Sequence, residues 1–175
     1  DETRLTGDAG TVILVHYDIW HRATPNETAD PRYMMKFLFA RLDEPTAPSW
    51  DHAGAEWQDD TGLHPAMRET LWNWHAGSPG AAGGASADDV NGLLDSLGAG
   101  SETAALDAAY EIAGAGADAV PGLIGKLSDD VARVWRGAGY GLSSIGGDAV
   151  SALVEQTSSD NASVRSRAAA VLGDI

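Results

Sequence analysis

The sequence predicts a mixed chain, with β-strands in its first part and an α-solenoid of paired helices in its second. Three observations lead there. Two β-branched and aromatic runs flank a proline-bearing loop, a Gly/Ser/Ala stretch follows, and from residue 88 the sequence repeats itself at a fixed period of 30.

The first run, residues 11–21, follows the turn signal Gly7-Asp8-Ala9-Gly10 and reads as a strand. Residues 22–31 carry Pro25, Asn26 and Pro31 and read as a loop long enough to reverse the chain. Residues 32–42 read as the returning strand, apolar on both faces and hence covered on both sides. From Asp43 to about Gly62, prolines, Trp50, Trp57 and acids alternate without a period, which predicts an irregular tail. His64 to His75 predicts a helix, with Pro65 at its first position and Met67, Leu71, Trp72 and Trp74 gathered on one side. Ala76 to Ala87 reads as a linker.

After the linker Val90, Val120 and Val150 fall 30 apart, as do Leu93, Leu123 and Leu153. Tyr110 and Tyr140, then Ile112, Leu142 and Leu172, then Ile145 and Ile175, continue the register. Each unit offers a helix of the Val-Pro-Gly-Leu-Ile type, a polar turn (Ser128-Asp129-Asp130, then Ser158-Ser159-Asp160-Asn161) and an Ala-rich second helix. Small residues let helices approach closely, and stacked pairs bury a face that one pair cannot. The 30-residue unit, the Asp-rich turn before an Arg-bearing helix, and the run Ala168 to Ile175 resemble HEAT-like repeats of the phycobilisome-lyase type over residues 88–175. That resemblance implies a scaffold, with a protein partner on the repeats.

Composition narrows the function classes. A net charge of −15, from 26 acidic against 11 basic residues, argues against nucleic acid and against an anionic membrane surface. Without cysteine, disulfides, thiolate metal sites and a Cys nucleophile drop out. No apolar stretch reaches the ~18 residues that span a bilayer, and no basic-then-apolar leader pattern opens the chain, so the expected compartment is the cytoplasm. The chain opens at Asp1 without Met and stops just after a helical pattern, so both ends are expected to be cut from a longer protein.

The run Gly10 to Asn26, with Tyr17-Asp18-Ile19-Trp20-His21 at its centre, followed by Arg32-Tyr33-Met34-Met35-Lys36-Phe37, resembles the C-terminal part of phytanoyl-CoA dioxygenase-type proteins. Pro48-Ser49-Trp50 and Leu71-Trp72-Asn73-Trp74 resemble bacterial members that carry HEAT-like repeats. This resemblance implies that residues 1–75 are the C-terminal part of a double-stranded β-helix (a cupin-like jelly roll) with a covering helix, 76–87 a linker and 88–175 the repeats. It implies an Fe(II), 2-oxoglutarate-dependent dioxygenase acting on a small-molecule substrate. His21 matches the family's distal iron ligand. Arg32 matches the Arg that grips the far carboxylate of 2-oxoglutarate. The family's His-x-Asp ligand pair normally lies on an earlier strand, upstream of this sequence. His16-Tyr17-Asp18 offers the pattern locally, but strand alternation puts it on the face opposite His21.

Two function classes stay open at this point. One is a piece of such an oxygenase, inactive by itself; the other is a scaffold with a degenerate jelly roll and a binding solenoid. Other candidates read as structural. His52, His64 and His75 with Asp51, Asp59 and Asp60 lack ligand spacing and read as solvated. Asn26-Glu27-Thr28 fits a short glycosylation sequon that nothing else supports. Trp72 and Trp74 read as covering a core, and Trp135 and Tyr140 as packing between helices.

Overall fold

The computed structural model describes residues 3–15, 21–39, 42–59 and 62–175. It divides into two units, Asp1–Leu42 and Asp43–Ile175.

In the first unit no described residue belongs to a helix or strand, and every described residue is exposed. This corrects the expected jelly-roll, cupin-like part: among the described residues the regular elements are all helical. The physical reason lies in what β-propensity measures. Val12, Leu14, Tyr33, Met35, Phe37 and Phe39 suit a pleated, half-buried surface, but here they find no second layer and remain exposed. What the unit does form is local. Thr11 N–H donates to Asp8 O (3.0 Å) across the expected turn at Gly10. In the expected loop Asn26 Oδ1 accepts from Thr28 N (3.2 Å) and Oγ1 (2.8 Å), and Asn26 Nδ2 donates to Asp30 O (2.6 Å).

Among its described residues the second unit holds seven α-helices: α1 (Pro65–His75), α2 (Val90–Ser96), α3 (Glu102–Ala113), α4 (Val120–Lys126), α5 (Ala132–Ile145), α6 (Gly147–Gln156) and α7 (Ala162–Gly173). A 3₁₀ turn, Gly116–Ala119, leads into α4. The second helices of successive pairs, α3, α5 and α7, start 30 residues apart. Each pair packs internally, α2 and α6 flank α4, and α3 and α7 flank α5. That is the neighbour-to-neighbour stacking of a solenoid.

Its core follows the predicted columns. Leu97, Ile112, Leu123, Leu127, Leu142 and Leu153 are the largest fully buried side chains, each contributing about 1.5–3 kcal/mol by leaving water. Ala108, Ala138 and Ala168 form a further buried column 30 residues apart. The small residues set how closely α3 and α5 approach. A Cβ at Gly141 would lie 3.1 Å from Leu123 Cδ1 and 3.2 Å from Ala109 O. Tyr140 departs from the expected packing between helices, since it is half exposed.

The polar turns stop and start the helices. Ser101 caps α3 by accepting from Ala104 N (3.2 Å), and Asn161 caps α7 by accepting from Ser163 N (2.9 Å) and Val164 N (3.4 Å). Arginines then tie one repeat to the previous one. Arg167 Nη1 donates to Leu127 O (2.7 Å) and Asp129 O (2.9 Å), just past α4. Arg133 Nη2 likewise donates to Gly98 O, just past α2. Cations suit these positions because helix C-termini leave carbonyls unpaired and partly negative.

The stretch read as a linker, 76–87, lies inside this unit. Ala82 N–H donates to Thr70 Oγ1 (3.1 Å), and Gly84 N–H to Glu111 Oε2 (3.0 Å). Gly83 lies against the backbone of Tyr110 and Glu111, and Gly114 lies against Gly83, so a side chain at either glycine would meet backbone. These glycines serve close packing rather than looseness.

Candidate functional site

Helix α1 presents two faces. Ala66 is its buried residue, on the helix that packs against α3. Arg68, Leu71, Trp72 and His75, spaced as one helical face, line an open hollow with Ser49, Trp50 and Trp57. The aperiodic tail holds that hollow together. Ser49 N–H donates to His75 O (2.8 Å), and Ser49 Oγ lies 3.1 Å from His75 Nδ1. Arg68 pairs with Asp59 at 3.5 Å, and Trp74 Nε1 donates to Glu44. The helix ends on Gly77, whose φ of +81° and close approach to the Ala47 backbone both require glycine.

The lining is aromatic. Trp50 meets Trp72 edge-on (5.1 Å, 80°), Trp57 lies 6.2 Å from Trp72, and Trp50 also meets His75 (5.8 Å, 83°). His52 packs on Trp50 at 5.6 Å, with its Nδ1 buried and unpartnered. Arg68 Cζ lies 5.4 Å from the Trp57 centroid, so one cation already sits over an indole face. Such a hollow offers π-faces and apolar edges, which suit a cation or a flat apolar group.

A second, smaller hollow lies where His64, α3 and α5 meet. His64 precedes α1 in the left-handed region (φ 51°, ψ 52°), a position that costs a residue before proline about 1–3 kcal/mol. Its Nδ1 lies 2.7 Å from Asp107 Oδ1 on α3. Thr103, Arg133, Arg136 and Tyr140 line the same hollow.

The residues predicted from the family resemblance lie elsewhere. His21 and Arg32 are in the first unit, both exposed, and Arg32 Nη2 donates to Thr24 O (3.3 Å). His16 and Asp18 lie outside the described residues. Among the described residues no group of three or more His, Asp or Glu could hold a metal ion, which corrects the expected metal-binding character. Iron in such a site needs three donors on one face, and the described donor set does not fit it.

Sequence reasoning left the Trp50–Trp57 segment as a tail and treated Trp72 as core cover. It read His64 and His52 as solvated, whereas both are half-buried. The signal that pointed here was the 68/71/72/75 face of α1. What covers that face was invisible, because residues 43–59 carry no period. Among the described residues no helix is long and apolar enough to cross a membrane. Compared with models of known protein families, with curated proteins and with solved structures, the chain matches none.

Proposed function

We propose that this chain is an interaction module, in which a short helical solenoid presents the Trp50, Trp57 and Trp72 hollow to a cationic segment of a partner protein. The observation that carries the reading is the open aromatic hollow beside α1, lined by three indoles, one of which already holds the Arg68 cation over its face. A chain of net charge −15 draws basic segments towards it, and indole faces then take an arginine or lysine head. The repeats supply a rigid base.

The test is calorimetric titration of the 175-residue protein with an octapeptide alternating Lys and Gly, with the Glu-Gly octapeptide as control. Trp50→Ala leaves the charge unchanged and replaces a partly exposed ring, so it separates docking from general attraction. The expected loss is roughly 2- to 30-fold, the range for a cation on an indole. Equal binding by the variant and the parent would sink the proposal.

A further inference from the structure

We infer that the hollow between His64, α3 and α5 is a binding site for a small carboxylate, gripped by Arg133 and Arg136. The site is separate from the aromatic hollow and rests on different residues.

The argument begins with misplaced charge. The chain has 26 acids for 11 bases, yet among the described residues neither Arg133 nor Arg136 has an acidic partner. The two sit three residues apart on α5, where like charges repel. They also occupy its first two turns, where the helix dipole disfavours cations, and the first turn itself holds no acid, Asp129 and Asp130 lying just before it. Local rules broken together in this way mark a functional position.

The second observation is an unfilled donor. Arg133 Nε is buried with no hydrogen-bond partner, although Nη2 of the same side chain donates to Gly98 O. An unpaired buried donor is costly, and a turn of the side chain towards the hollow would offer it to a ligand oxygen. Arg136 stacks beside Trp135, with Cζ 5.3 Å from the ring centroid, which steadies its fork.

The rest of the lining narrows the ligand. Tyr140 and Thr103 add hydroxyls, and the Nδ1 contact of His64 with Asp107 leaves its Nε2 as the ring's remaining polar atom. Glu102 also lines the hollow, and its carboxylate weighs against a dianion such as phosphate. Paired planar forks match the two oxygens of a carboxylate. The cavity, about 300 Å³, is at the small end for ligand sites and suits a molecule of a few heavy atoms.

The experiment is thermal unfolding and calorimetry with acetate, against phosphate and chloride at matched ionic strength. Acetate is expected to raise the unfolding midpoint along a saturating curve. Arg136→Gln, an exposed site, should weaken binding roughly tenfold, as loss of a charged hydrogen bond does. Arg133→Gln/Arg136→Gln should abolish the response. Ligand-free Arg136→Gln should be at least as stable as the parent, because a repelled cation is gone. An acetate response no different from chloride, a response that survives the double change, tighter binding of phosphate, or marked destabilisation by Arg136→Gln alone would each overturn the assignment.

Discussion

Replacing Arg167 with alanine tests how the repeats are held together. The change removes two hydrogen bonds from Nη1, to Leu127 O (2.7 Å) and Asp129 O (2.9 Å), and the guanidinium that lies 4.5 Å from the Trp135 centroid. A hydrogen bond to a charged group contributes ~1.5–3 kcal/mol, and a cation over an exposed indole ~0.5–1 kcal/mol. Arg167 is only half-buried and water can replace part of each contact, so the expected net loss is about 2–3 kcal/mol. The thermal midpoint should fall by roughly 4–12 °C for a chain of this size. Arg167→Lys keeps the charge but has no planar fork to reach two carbonyls while stacking, so it should restore less than half of the loss. The assay is urea unfolding followed by helical circular dichroism, with a cycle through Trp135→Leu to isolate the ring contact. An Arg167→Ala loss under ~0.5 kcal/mol, or a lysine variant matching the parent, would refute the clamp, because surface substitutions without such a role fall in that range.

Two further outcomes follow from the packing. Gly83→Ala should destabilise by about 1–3 kcal/mol, the usual cost of overpacking, because the new methyl would meet the backbone of Tyr110 and Glu111 and backbone cannot step aside. Urea unfolding of that variant checks it, and parent-like stability would mean that 76–87 is the loose linker its composition suggested. Burial first, and the neighbouring Tyr140 second, raise the Tyr110 hydroxyl above its ordinary value of 10.0. The folded state therefore holds that proton more tightly than the unfolded chain, so Tyr110 leaves stability unchanged below about pH 10 and erodes it as pH climbs beyond. Stability measured from pH 9 to 11 should fall more steeply in the parent than in Tyr110→Phe, and parallel curves would contradict the shift.

Much of the helical half was legible from residues alone. Pro65 opened α1, the polar turn ending at Asn161 preceded α7, and the Leu93, Leu123 and Leu153 column at 30-residue spacing ran into or against the core. These signals are local or strictly periodic, so they survive without knowledge of neighbours. Over the described parts of 11–21 and 32–42 the strand expectation failed for the opposite reason. A strand is made by its partners, and β-branched runs report only that a residue would suit a sheet if one were there. The linker expectation met the same limit: Gly83 looked like freedom in sequence and is a close contact with Gly114 in space.

By itself the sequence determined the helix opened by Pro65, the 30-residue repeat of paired helices after residue 88 and the acidic charge, because backbone hydrogen bonding and apolar period act within a few residues. Only the tertiary structure decided that the aperiodic tail closes over α1, that His64 meets Asp107 across 43 positions of chain, and that two arginines of α5 line one hollow. Those juxtapositions depend on which faces pack, a property of the whole unit that no window of sequence contains.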